Sequence, residues 1–257
     1  MASPTYRCRG IVLKKTKLGE SDLILALLAE NGAQVRAVAK GARKPGSFAA
    51  RLELYSCVDL LIVQGKSLDI IKEVRIVNSN ENIRTSLERT TCASVMAELL
   101  EKVTHVGLEH DRLFPLSQKA FECLGQCTPD QVIAVMDAHV LKVISLCGFK
   151  PTFDSCVLCG LPVLSDEVHN QPFCDLAILD GGVVCSSCVA EVESIHVSRV
   201  TLQWCHYLLM STFEQIADTP IDQAEAFAVA RVCQSWILTH IGIKLKALNF
   251  LFTTQIF

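Results

Sequence analysis

The sequence predicts a multidomain α+β chain: an amino-terminal five-stranded OB-fold barrel, then an α-helical domain containing a four-cysteine zinc finger. Three observations predict it. Strand-like segments with turn-sized gaps fill residues 1–80, and the apolar spacing becomes helical from about Glu81. Two CxxC pairs, Cys156–Cys159 and Cys185–Cys188, then interrupt the helical part with 25 residues between them. The expected division is 1–80 for the barrel and 81–257 for the helical domain, with the finger inserted at about 149–195.

Taken in order, Tyr6 to Lys17 holds the run Gly10-Ile11-Val12-Leu13, and Ser21 to Ala29 holds Leu23 to Leu28. Asn31-Gly32 signals a type I′ hairpin turn, because both residues tolerate positive φ. Ala33 to Lys40 alternates small apolar with polar residues. A Gly/Arg/Lys/Pro connection follows, then Glu53 to Val63, the turn Gln64-Gly65-Lys66, and Leu68 to Asn78. Beyond it Ile83, Leu87, Thr91, Val95, Leu99 and Val103 recur at near-helical spacing. Further helices are expected at Arg112–Leu124, Pro129–Leu146, Ser198–Gln215 and Gln223–Gly242, with Gly148 and Gly242 as stops.

Four thiolates in two close pairs form the ligand set of a tetrahedral zinc site. With all four positions filled the metal has no open site for water, so one Zn2+ is expected as a structural clamp. Other readings of CxxC are a disulfide and a thioredoxin-type redox site. The first needs an oxidising compartment, and no signal-peptide pattern opens the chain; the second needs no second pair. Cys174 and His169 lie in the loop between the pairs and could replace a ligand. Cys57, Cys92, Cys123, Cys147, Cys205 and Cys233 stand singly in apolar stretches and read as small buried hydrophobes.

Half of the residues are hydrophobic and mean hydropathy is +0.35, so a packed core is expected, in the reducing cytoplasm. No apolar run reaches the roughly 18–20 residues a membrane helix needs. The net charge of −3 hides an asymmetry: residues 1–80 hold 13 Lys or Arg against 7 Asp or Glu, and the remainder holds 11 against 20. A basic first part suits a polyanion. Its cations cluster at Lys40, Arg43 and Lys44 in a glycine-rich loop, with Arg36 before it, Arg51 after it, and Lys14, Lys15 and Lys17 on the first strand. Phe48 and Tyr55 are nearby for stacking on bases, or for packing in the loop and barrel.

Other chemistries are excluded. Gly65-Lys66-Ser67 lacks the glycine that a P-loop places five residues before its GK pair. No His is followed two residues later by Glu, and HExxH and GxSxG are absent. Ser21-Asp22 reads as a turn and Glu98/Glu101 as an exposed helix face. No enzyme is expected.

Gly10-Ile11-Val12-Leu13, Gly19-Glu20-Ser21-Asp22 and Val38-Ala39-Lys40-Gly41-Ala42-Arg43-Lys44-Pro45 resemble, in order and interval, the amino-terminal pattern of the RecO family of bacterial recombination mediators. Cys147-Gly148-Phe149-Lys150-Pro151 before Cys156–Gly160, Gly181 to Cys188, and His240 to Leu248 are similar to that family's finger and last helical signature. The resemblance covers almost the whole chain. It implies binding to single- and double-stranded DNA, strand annealing, and partnership with RecR. It also implies contact with the C-terminal tail of single-stranded DNA-binding protein, so that RecA can be loaded, and a nucleoid-associated location. It departs at Phe173-Cys174, where Ser often follows the Phe. Lys142, Arg199 and Arg231 are scarce cations on predicted helices that could border a groove for an acidic tail. The rival is a zinc-ribbon scaffold or transcription-related adaptor without annealing activity.

Overall fold

The computed structural model describes residues 4–44, 47–164 and 171–254. The chain forms two compact units that divide after Gln126, the second running from Cys127 to Thr254. The first holds five strands, β1 (Thr5–Leu18), β2 (Asp22–Ala29), β3 (Gln34–Ala39), β4 (Cys57–Val63) and β5 (Asp69–Asn78). They close in the order β1-β2-β3-β5-β4, with every seam antiparallel except a short parallel one, Ala37 opposite Asp69 and Val38 opposite Ile70.

The unbroken apolar runs in β1 and β2 follow from burial on both faces. Val12, Leu25 and Leu27 fill the barrel with Val58, Leu60 and Ile62, while Ile11, Leu13 and Leu28 are buried although they point the other way. Helices α1 (Leu87–Val103) and α2 (Leu113–Gln126) supply the cover, α1 packing on β1 and β2 and α2 on β1. A bulge between Val12 and Lys14 shifts the register where β1 passes from one partner environment to the next. Periodicity changes near Glu81, yet contacts thin out only after Gln126, so α1 and α2 group with the barrel.

Two local expectations change in the first unit, and one alternative is decided. At the β2–β3 hairpin only Gly32 has positive φ, +78°, and its N–H donates to the Ala29 carbonyl at 2.8 Å. The loop is therefore Glu30-Asn31-Gly32, a three-residue connection ending in a left-handed glycine rather than a type I′ pair. Residues 81–85 form a 3-10 turn, and α1 begins only at Leu87, capped by the Ser86 hydroxyl. Tyr55, with φ 69°, is internal: its ring stacks on Phe121 at 5.7 Å and its hydroxyl meets the Ser94 hydroxyl at 2.8 Å. Phe48 packs, partly buried, on the barrel core.

The second unit is built on α3 (Val132–Leu146), an almost fully buried helix packed by α4 (Arg199–Met210), α5 (Phe213–Asp218) and α6 (Gln223–His240). The helix expected over 198–215 breaks at Ser211, because Thr212 and Gln215 form a capping box that starts α5. A last helix, α7 (Lys246–Thr253), follows the Gly242 stop. The cysteine segment contributes a three-stranded sheet, β6 (Phe173–Ala177), β7 (Gly182–Val184) and β8 (Ile195–Ser198), in the order β7-β6-β8. No helix among the described residues is long and apolar enough to cross a membrane.

Candidate metal centre and cationic barrel end

The two CxxC pairs meet because the first knuckle pairs with β7. The Val157 amide donates to the Val183 carbonyl at 3.0 Å, and Thr152 exchanges bonds with Gly181 and Val183. This approach needs Gly182, where a Cβ would stand 2.2 Å from the Thr152 oxygen. Each knuckle closes on itself: Gly160 N–H donates to the Cys156 carbonyl at 2.8 Å, and Cys188 N–H to the Cys185 carbonyl at 3.0 Å. Arg199, opening α4, ties the segment down by donating to the Gln171 and Val163 carbonyls, each at 2.9 Å.

The ligand sulfurs of Cys156, Cys159, Cys185 and Cys188 all lie within 4.8 Å of one another, and those of Cys159 and Cys185 are 3.6 Å apart. A tetrahedron with metal–sulfur bonds of about 2.3 Å has sulfurs roughly 3.8 Å apart, so the cluster could hold a metal ion. No covalent bridge competes, since all four cysteines are free and a disulfide needs about 2.05 Å. The electrostatics agree. Burial disfavours a Cys156 thiolate, but the amides of Cys185, Cys159 and Leu158 outweigh it and bring that thiol down to about 6. Cys188 is instead pushed up to about 12, chiefly by hydrogen bonds to the Cys185 and Cys159 thiols. Four sulfurs this close can all ionise only around a cation. Cys174, buried on β6, is not among the clustered sulfurs, and His169 lies outside the described residues.

At the barrel, the β1–β2 turn and the loop after β3 meet at one end. The Arg43 amide donates to the Ser21 carbonyl at 2.8 Å, and its guanidinium to the Gly19 carbonyl at 3.3 Å. The Asp22 carboxylate accepts the Gly41 amide at 2.7 Å and the Ser21 hydroxyl at 3.0 Å, which hold it below the usual carboxylate range. Ala42 plugs the core at 1% exposure, leaving Lys40, Arg43 and Lys44 exposed around it. Lys17 joins them, because it pairs with Leu23, whose other partner is Ala39.

The remaining candidates lie elsewhere on the unit. Lys14 and Arg36 flank Ala26 in one cross-strand row, but Lys14 is ion-paired to Glu101 of α1 at 3.1 Å. Lys15 is paired to Glu53 at 2.9 Å. Arg51 turns to the Val74 carbonyl of β5 at 3.5 Å. In the second unit, Lys142 donates to the Leu209 carbonyl at 2.6 Å, capping the end of α4, and burial lowers its ammonium to about 8. Arg231 lies over the Phe252 ring at 4.9 Å and stays exposed.

Sequence reasoning passed over Arg7, Arg9 and Arg75. They line a groove of about 440 Å³ on the outer face of β1, β4 and β5, where Asp59 sits between Arg9 and Arg75 and is bound by Arg9 at 2.7 Å. The alternation of Arg7 with Arg9 is visible in sequence; the placement of Arg75 beside them depends on strand register. Glu30, Asp59 and Glu73 share the groove, so its charges balance.

Comparison with known proteins covers both units. Residues 1–80 match the family model "Recombination protein O N terminal", and residues 84–249 match "Recombination protein O C terminal". Similar curated proteins include the "DNA repair protein RecO" of Thermobifida fusca, 36% identical over 245 residues, covering 93% of this chain and 96% of that one. That of Cutibacterium acnes is 35% identical over 221 residues, covering 84% and 86%. That of Symbiobacterium thermophilum is 29% identical over 252 residues, covering 97% and 98%. With a closed barrel, a helical unit with a four-cysteine cluster, and both family models matched along its length, the chain belongs to the RecO family of DNA repair proteins.

Proposed function

We propose that the protein is a non-enzymatic recombination mediator that binds single- and double-stranded DNA at the cationic end of its barrel and anneals complementary strands. The observation that carries this reading is the convergence of Lys17, Lys40, Arg43 and Lys44 where the β1–β2 turn meets the loop after β3. Exposed Lys and Arg there replace the counterions of a phosphate backbone, so affinity is sequence-tolerant and falls steeply with salt. Two strands held near one cationic surface repel each other less, which favours their pairing.

The Cys156, Cys159, Cys185 and Cys188 sulfurs fit Zn2+, which supplies structural cross-linking and no open coordination position. In keeping with the family, the protein is proposed to act with RecR and to contact the C-terminal tail of single-stranded DNA-binding protein while RecA is loaded. Of the three cations suggested for such a tail, Arg231 is exposed, whereas Lys142 and Arg199 are partly buried and donate to carbonyls of their own unit. The test is an annealing assay on complementary oligonucleotides, bare and coated with single-stranded DNA-binding protein, using wild type and a double charge reversal at Arg43 and Lys44. Annealing that is lost in the variant supports the reading; equal annealing by both proteins, or by neither, overturns it.

A further inference from the structure

The geometry points to Asp22 as a positioning residue that holds the cationic loop in its DNA-binding shape, an inference that rests on the barrel-end reading above. A carboxylate set among DNA-binding cations is electrostatically unfavourable for binding, so its presence there calls for a compensating role. Asp22 opens β2, and its Oδ1 accepts the Gly41 amide at 2.7 Å and the Ser21 hydroxyl at 3.0 Å. Gly41 has φ +65°, a turn conformation that brings its N–H onto that oxygen. The same turn is held by the Arg43 amide on the Ser21 carbonyl at 2.8 Å and the Lys44 amide on the Gly41 carbonyl at 3.0 Å. Lys40, Arg43 and Lys44 thus radiate from a backbone tied to the neighbouring turn at two places, through Arg43 on the Ser21 and Gly19 carbonyls and, at the start of the loop, through the Asp22 carboxylate on the Gly41 amide. Without the Asp22 contact the start of the loop, at Lys40 and Gly41, must be ordered when DNA arrives, at a cost in affinity.

Two substitutions separate positioning from charge. Asp22→Asn keeps an oxygen that can accept the Gly41 N–H and removes the negative charge; Asp22→Ala removes both. If Asp22 were only a repulsive charge, both variants would bind DNA more tightly than wild type. If it positions the loop, Asp22→Asn binds several-fold more tightly and Asp22→Ala several-fold more weakly, although both have lost the same charge.

The probes are a single-stranded oligonucleotide and a duplex, titrated across a salt series, with thermal unfolding recorded for each variant. Amide hydrogen exchange at Gly41 and Arg43 reads the clamp directly: it should be fast in Asp22→Ala and near wild type in Asp22→Asn. Equal affinity of the two variants, or a Gly41 amide equally protected in both, overturns the proposal. The Arg43/Lys44 charge reversal is the companion control. If it leaves affinity and salt slope untouched, the barrel-end reading itself fails; if it weakens binding while Asp22→Ala does not, only the role of Asp22 falls.

Discussion

The sulfurs of Cys159 and Cys185 stand 3.6 Å apart although 25 residues separate them in the chain. Only a folded segment brings them together, so loss of the cross-link should be felt locally. Protein purified without added metal is expected to carry about one zinc per chain by elemental analysis. A strong chelator, or Cys159→Ser with Cys185→Ser, should abolish hydrogen-exchange protection in β6 and β7 while barrel amides keep theirs. Metal-free protein with full protection in that sheet would refute the site.

Charge reversal at Arg43 and Lys44 is expected to leave the melting transition nearly in place, since both side chains are exposed and the lost bond, from the Arg43 guanidinium to the Gly19 carbonyl, is a solvent-exposed one of 3.3 Å. It should reduce the slope of log affinity against log salt by about 2, one for each phosphate contact removed. The measurement is fluorescence anisotropy with a labelled oligonucleotide over a salt series.

Lys14 and Lys15 are held by Glu101 and Glu53 at 3.1 and 2.9 Å, which leaves their charge partly cancelled. Glu53→Gln and Glu101→Gln should each strengthen DNA binding and steepen its salt dependence. Stability should change by less than about 1 kcal/mol, because each pair keeps one partner at the surface and such ion pairs contribute little. Unchanged salt slopes in both variants would remove these lysines from the DNA surface.

Asp137 lies at 0% exposure in α3, and neither carboxylate oxygen has a hydrogen-bond partner among the described residues. Burial raises its pKa well above the ordinary value, while the thiols of Cys205 and Cys233, themselves raised first by burial, face it from α4 and α6. The folded chain therefore keeps a proton that the unfolded chain releases near pH 3.8. Stability falls as pH rises from there towards the folded pKa, by up to about 1.4 kcal/mol per pH unit. Asp137→Asn should flatten that slope, so its advantage over wild type in urea unfolding grows from pH 4 to pH 7. Parallel curves would show that the carboxyl ionises in the folded state.

Gly32→Ala should destabilise the first unit by about 1–3 kcal/mol. The residue has φ +78°, and its new Cβ would meet the His110 carbonyl oxygen at 2.0 Å, a backbone atom that cannot swing aside. The midpoint of denaturant unfolding reads the change.

Much of this protein was determined by residue order alone. The alternation of strands before residue 80, the helical spacing after it and the two CxxC pairs are local properties, because pleat, helix turn and metal knuckle each depend on neighbours a few residues away. Family membership was legible for the same reason, from Lys40 to Pro45 and from Cys156 to Cys188. What the tertiary structure decided depends on partners distant in sequence. Glu101 and Glu53 claim Lys14 and Lys15, Leu209 claims Lys142, and Tyr55 turns inward onto Phe121. Strand register also decides that Lys17 joins Arg43, and the 3-10 turn that ends at Arg51 sends its guanidinium to the Val74 carbonyl. A charge in the sequence is only a formal charge; whether it meets a phosphate, a carboxylate or a carbonyl is settled by what the fold places within about 4 Å.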